Sequence, residues 1–161
     1  MRAFLGIAAV VLCFCLPVQA QEDEDDMGNP GLAGLSEAQT TQYGLAEEAF
    51  SSGDYAKAHK ILDALKAQDV AAAWWLRGVL VFQGLGVKKD DAVSRNEFLQ
   101  AAKMGGGFYQ VSIGDLYRDG TAPFAKDCDQ AETWYKRAAS AGNEQGKGRV
   151  KRMPACRGKA K

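Results

Sequence analysis

The sequence predicts an all-α fold, a short right-handed α-solenoid of three helical hairpins plus a C-terminal capping helix. The main observation is a duplication, because Gly78 and Gly84 recur as Gly114 and Gly120, 36 residues later. Further matches are offset by 37 and pair Asp90, Phe98, Ala101, Ala102 and Gly105 with Asp127, Tyr135, Ala138, Ala139 and Gly142. Self-similarity at such a period is typical of stacked supersecondary units.

Each copy consists of two apolar-periodic segments separated by a charged loop. The first segment ends at Gly84 or Gly120 and the second at Gly105 or Gly142. Glycine adopts the left-handed conformation that commonly ends a helix. The duplicated region therefore predicts two helical hairpins, 70–104 and 107–141, which bury each other's apolar faces.

Signals at each end of the duplication extend the helical domain to residues 36–152. Ser36 opens a capping box, and Asp54 caps a second helix after a Ser-Ser-Gly break. These signals predict a first hairpin over 36–67. A polar helix from Asn143 to about Arg152 has no partner, as expected of an element that closes a solenoid.

The duplicated region resembles the Sel-1-like repeats, and the first hairpin resembles a tetratricopeptide unit. The matching residues of the first copy are Leu80, Gly84, Gly86, Val87, Lys89, Asp90, Phe98, Ala101, Ala102 and Gly105. The second copy matches at Gly114, Leu116, Tyr117, Gly120, Asp127, Ala131, Trp134, Tyr135, Ala138, Ala139 and Gly142. The sequence departs from the family pattern at Arg77 and Ser94.

The resemblance implies a concave surface, lined by the first helix of each hairpin, that holds a peptide or a protein partner. Carried over by position, it nominates as partner-binding residues Tyr43, Glu47, Phe50, Trp75, Val79, Phe82, Asp115 and Arg118. Trp74 matches a core position, which leaves Trp75 toward the inner surface. The alternative is that the large aromatic residues of this set are buried in the hairpin core.

The N-terminal residues 1–20 have the pattern of a secretory signal peptide. Arg2 precedes an apolar run from Ala3 to Leu16, and small residues mark a cleavage site near Ala20. We therefore expect a periplasmic or secreted bacterial protein with no transmembrane segment after cleavage. The acidic residues 21–35 are expected to be a disordered leader and 153–161 a basic tail.

Two cysteines, Cys128 and Cys156, remain after signal removal. In an exported chain an even number of cysteines favours a disulfide. This bridge would hold the terminal helix against the stack. A redox pair or half of a metal site are the alternatives, but the spacing is not Cys-x-x-Cys.

The overall charge identifies no particular partner. The formal net charge is zero, with an acidic first half and a basic C-terminal tail. We expect no nucleic-acid partner, because the tail lacks aromatic residues for base stacking. The lone His59 is predicted to be an exposed or half-buried helical residue. No cofactor or metal site is expected.

The function predicted is that of a non-enzymatic adaptor or scaffold that binds a peptide or protein. One alternative is a cell-wall enzyme, since cysteine-rich relatives of these repeats are linked to β-lactam binding and hydrolysis. This chain has one cysteine pair and no Ser-x-x-Lys motif. A structural subunit of an envelope complex is the other alternative.

Overall fold

A computed structural model of the protein describes residues 30–153 and Cys156. The predicted signal peptide, residues 21–29 and most of the basic tail lie outside these residues. In the described part the chain has a short 3₁₀ helix and then seven α-helices, without a strand. The helices are α1 (Glu37–Ser51), α2 (Tyr55–Lys66), α3 (Ala71–Gln83), α4 (Asp91–Met104), α5 (Gly107–Asp119), α6 (Cys128–Ser140) and α7 (Glu144–Arg152).

The helices pack as three hairpins in sequence order: α1 against α2, α3 against α4, and α5 against α6. The last helix, α7, packs against α6. Smaller contacts join α2 to α3 and α4 to α5, so that each hairpin rests on the next. The predicted helical-repeat solenoid is confirmed. None of the helices described here is both long and apolar enough to cross a bilayer.

Local capping chemistry sets most helix ends where the sequence places them. Ser36 forms the predicted capping box at the start of α1. Asp90 and Asp127 cap α4 and α6, each carboxylate accepting two backbone N–H groups. Gly84 and Gly120 end α3 and α5 with φ of 71° and 70°. The two copies thus share the same boundaries because they share the same caps.

Gly105 differs from the predicted left-handed stop, which Gly142 does adopt with φ of 86°. The φ of Gly105 is −89°, in the extended region. A Cβ atom added there would lie 2.7 Å from the Cβ of Ala71 and closer still to the Tyr109 ring. Glycine is therefore required at this position because three elements meet closely, and backbone conformation is not the reason.

Small side chains bring the helices of each hairpin together. Ala101, Ala102 and Ala138 are fully buried, as expected of residues that allow close helix approach. The extra residue of the last hairpin lies in the loop that carries Phe124. That ring is 2% exposed and its centroid lies 4.8 Å from the centroid of the Tyr117 ring, so this loop contributes to the core.

Residues 30–35 correct the prediction of a leader disordered to residue 35. Pro30–Leu32 forms a 3₁₀ helix that contacts α3 and α5. Leu32 and Leu35 pack against the main core, and Gly31 is buried. The Gly-Leu-Ala-Gly-Leu stretch supplies apolar side chains that the core can bury, which is why residues 31–35 pack against it.

Candidate functional site: the inner face of the helical stack

The first helices of the three hairpins bring together three aromatic side chains, Tyr43 of α1, Trp75 of α3 and Tyr109 of α5. We call this set the aromatic cluster. The ring centroids of Trp75 and Tyr109 are 5.4 Å apart. Tyr43 and Tyr109 are 6% and 5% exposed. The cluster therefore lies where the sequence places a concave face, but its rings are covered.

The chain's own residues 31–35, here called the inner segment, lie at this face. The Tyr109 hydroxyl donates a hydrogen bond to the Gly31 carbonyl oxygen at 2.9 Å, 78 residues away in sequence. Leu32 and Leu35 add apolar contacts to the same core. The face thus holds a short peptide by one backbone carbonyl and two leucine side chains.

An open cleft of about 400 Å³ continues beside the inner segment. Its walls come from the inner segment and from the turns that join successive hairpins. They are formed by Gly31, Ala33, Leu35, Asp69, Ala71, Met104, Gly105, Gly106, Gly107, Phe108, Tyr109 and Asn143. Met104 is 42% exposed there, which leaves apolar surface available next to the bound segment.

Trp75 is not free toward the inner surface, contrary to the prediction. Its ring lies 4.7 Å from the Phe98 centroid and also contacts Tyr109, so it packs between the middle and last hairpins. Trp74 is half-buried like Trp75, with the Lys66 ammonium 4.0 Å from its ring centroid. Trp74 thus faces α2, and Trp75 faces α4 and α5. Both rings pack against neighbouring helices because burial of large aromatic surfaces is favourable.

The other aromatic candidates are also engaged. Tyr43 is buried in the core, whereas the sequence predicted that it would be free to contact a partner. Glu47 is exposed and its carboxylate interacts with the Tyr43 hydroxyl. Phe82 is half-buried and has the Lys89 ammonium 4.6 Å from its ring centroid. Only Glu47 of these three projects to solvent.

Asp115 and Arg118 form an internal ion network, although the sequence nominates them for partner contact. Asp115 accepts the Tyr135 hydroxyl at 2.7 Å and pairs with Arg118 at 2.6 Å. It also pairs with Arg149 of α7 at 3.0 Å. Arg118 pairs in addition with Asp119. These bonds tie α5, α6 and α7 together, so both residues are engaged within the fold.

Burial moves the pKa of both tyrosines of the cluster further above neutral pH. Desolvation raises the pKa of Tyr43 above its ordinary range, and the nearby Glu47 carboxylate adds to the rise. Desolvation likewise raises the pKa of Tyr109 to about 12, again with Glu47 as the second cause. Neutral phenols donate hydrogen bonds to carbonyl oxygens. The inner face is therefore suited to bind peptide groups and apolar side chains.

The candidates for chemistry have structural roles. His59 is 8% exposed, more buried than predicted, and its Nε2 lies 2.8 Å from the Leu85 carbonyl oxygen, where it joins α2 to the loop after α3. The predicted disulfide between Cys128 and Cys156 is present. Among residues 30–153 and 156 no cluster of three or more His, Cys, Asp or Glu side chains is arranged to hold a metal ion.

The sequence did not single out Tyr109 or the inner segment. Tyr109 follows a glycine-rich turn, and no motif in the sequence marks its ring as a contact residue. The available signal was Leu35, an apolar residue directly before the Ser36 capping box, a position that commonly packs back onto the structure. Extending that pattern to Leu32 would have placed 31–35 against the core.

Comparison with known proteins supports the repeat architecture. No protein-family model and no curated protein matches the sequence. A crystal structure of a Sel1 repeat protein from Oxalobacter formigenes matches with a TM-score of 0.53 and 27% identity, covering 70% of this chain and 87% of that one. A second match is c5321, a protective antigen present in uropathogenic Escherichia coli strains that displays an SLR fold. Its TM-score is 0.57 at 26% identity, over 73% of this chain and 26% of that one, so this chain spans about a quarter of its length.

Proposed function

We propose that this Sel1-like repeat protein is a non-enzymatic scaffold that binds an extended protein segment at its inner face. The fold it shares with its structural neighbours is a helical-repeat scaffold. Solenoids of this kind present continuous surfaces made of equivalent helices from successive repeats. The proposal assigns that surface to the aromatic cluster and the adjoining cleft.

The observation that supports the proposal is the inner segment. A tyrosine hydroxyl bonded to a main-chain carbonyl, with leucine side chains as anchors, is a mode of peptide recognition that requires no special sequence at the carbonyl. A partner segment with two leucines three residues apart would make the same contacts. It would have to displace residues 31–35 or extend along the open cleft beside them.

Export to the periplasm or the outside of the cell is part of the proposal. The predicted signal peptide supports it, and the Cys128–Cys156 disulfide fits an oxidising compartment. A signal-dependent localisation assay tests it directly. Replacement of the apolar run 3–16 by polar residues is expected to retain the protein in the cytosol with reduced cysteines.

The peptide-binding proposal can be tested with the inner segment itself. A variant carrying Leu32→Ser and Leu35→Ser loosens the segment, and a synthetic peptide of residues 28–37 then serves as the probe. We expect calorimetry to detect the peptide on this variant and at least about tenfold weaker binding to the wild-type protein, since a tethered segment competes at high effective concentration. A peptide with both leucines replaced by serine is the control.

Two further measurements keep the test decisive. Circular dichroism must show a folded variant; if it is unfolded, Leu32→Ala alone replaces it. Adding Tyr109→Phe should weaken peptide binding by removing the carbonyl contact. Equal binding of the leucine peptide and its serine control would refute the proposal.

Turnover of nitrocefin by the purified mature chain would instead favour the enzyme alternative.

A further inference from the structure

A shallow groove of about 510 Å³ runs between α6 and α7, away from the aromatic cluster. Its floor is formed by Ala139 and Val150, and three lysines, Lys136, Lys147 and Lys151, line it. All three lysines are exposed. We call this surface the lysine groove. An apolar floor with ammonium groups along its rim fits an extended anionic chain.

The groove carries excess positive charge. Helix α7 has four basic residues and one acidic residue. Lys136 and Lys147 each pair with a glutamate of their own helix at 2.7 Å, but these lysines are 63% and 48% exposed. Solvent-exposed pairs of this type contribute little and exchange readily for other anions. The lysines therefore remain available to a ligand that supplies several carboxylates at once.

The same chain contains such a ligand within reach. Glu22, Asp23, Glu24, Asp25 and Asp26 are consecutive in the sequence. Asp26 precedes Pro30 by four residues, a distance that an extended chain spans with at most about 14 Å. Gly31 lines the same cleft as Asn143, the residue that caps α7. Gly31, five residues after the acidic run, therefore lies near the start of the helix that carries Lys147 and Lys151.

We propose that the acidic run 22–26 binds in the lysine groove of its own chain. Charge complementarity selects the segment, and its short tether gives it a high local concentration that a free acidic peptide lacks. The contact would join the N-terminal end of the mature chain to the last helix. The groove shares no residue with the aromatic cluster, so the two sites can be altered by separate substitutions.

Zero-length carbodiimide crosslinking of the chain 21–161 tests this contact, because it joins only carboxylates and amines already in contact. We expect intrachain crosslinks from the acidic run to Lys136, Lys147 and Lys151, mapped by mass spectrometry. Mixing isotope-labelled and unlabelled protein separates crosslinks within one chain from crosslinks between chains. Raising the salt concentration from about 0.05 M to 0.5 M should lower the yield, since screening weakens exposed charge pairs.

The chain offers a matched control groove. Lys57 and Lys60 flank an apolar floor between α1 and α2, in a groove of about 390 Å³. The Lys147→Gln/Lys151→Gln variant should reduce the remaining crosslink at Lys136 at least about fivefold, because two of the three rim charges are lost. The Lys57→Gln/Lys60→Gln variant should leave it unchanged.

Three outcomes would overturn the proposal. Crosslinks distributed evenly over all lysines would show that the acidic run has no preferred site. Crosslinks found only between labelled and unlabelled chains would place it on a second copy. Absence of any crosslink to the lysine groove, with both variants folded by circular dichroism, would leave the groove to a different anion.

Discussion

The middle and last hairpins carry the same repeat but close their two helices with different contacts. In the middle hairpin Phe98 lies over Gly78 and contacts Trp75, and Ser94 donates its hydroxyl to the Gly78 carbonyl at 2.8 Å. In the last hairpin Tyr135 takes the place of Phe98, over Gly114. Its hydroxyl reaches Asp115, which also binds Arg149 of α7.

The difference follows from position in the stack. The middle hairpin packs between two other hairpins, and beside its aromatic contacts the half-buried Lys66 of α2 pairs with the buried Glu97 of α4 at 2.7 Å. The last hairpin has the middle hairpin on one side and on the other the short polar helix α7, which offers little surface to bury. A second, smaller core of Val111, Ala131, Tyr135, Ala138 and Met153 lies under it. An ion network and a disulfide compensate for that small core.

Removing the Phe98 ring is expected to have the largest effect. Phe98→Ala should lower the free energy of unfolding by about 3–5 kcal/mol, because a buried ring is lost and leaves a cavity between two hairpins. Urea denaturation measures the change. Val93→Ala on the same helix is the control, since Val93 is 44% exposed. Equal losses in the two variants would contradict the apolar role of the middle hairpin.

Breaking the disulfide should have the next largest effect and act on the other end. The Cys128→Ala/Cys156→Ala variant opens a connection across 28 residues. The loop-entropy model predicts a loss of about 3–4 kcal/mol. Hydrogen exchange should show faster opening of α7 than of α3 and α4. Equally faster hydrogen exchange throughout the chain would mean that the disulfide does not stabilise α7 in particular.

Exchanging the two aromatic residues sharpens the comparison. Val79 occupies the position equivalent to Asp115, so Phe98→Tyr should bury a hydroxyl without an ionic partner and cost about 1–3 kcal/mol. Tyr135→Phe removes one hydrogen bond and should cost about 1 kcal/mol, since Arg118 and Arg149 still bind Asp115. Thermal unfolding of both variants provides the test. A larger loss for Tyr135→Phe would show that its hydroxyl organises the whole network.

Alkaline pH should leave the stability unchanged near neutrality and lower it only above pH 10. The folded state raises the pKa of Tyr109 to about 12, so above pH 10 the unfolded chain loses a proton that the folded chain keeps. This contribution to stability is complete below pH 10 and is lost between 10 and 12, at no more than about 1.4 kcal/mol per pH unit. Tyr109→Phe should show a shallower decline than wild type in urea titrations at several pH values. Equal slopes of the unfolding free energy against pH in the two proteins would exclude Tyr109 as a source of the pH dependence.

Sequence reasoning was reliable where local chemistry decides. The recurrence of Gly84 and Gly120, with Asp90 and Asp127 as caps, predicts helix ends that the structure confirms. It was least reliable for the candidate site. Position within the repeat predicts which side chains point inward, but it does not reveal what else lies at that face. Residues 31–35 cover it, and the repeat pattern contains no information about a segment that precedes it.

The sequence alone determined the helical hairpins and their order, because capping, glycine conformation and apolar periodicity are short-range properties. It also determined the cysteine pair, because two cysteines lie outside the predicted signal peptide. Tertiary structure alone decided that Trp75 packs between hairpins, that Asp115 pairs with two arginines and that Tyr109 binds Gly31. Each of these contacts joins different elements of the chain. Their formation depends on how much surface the neighbouring element offers, and that quantity is fixed only when the helices are stacked.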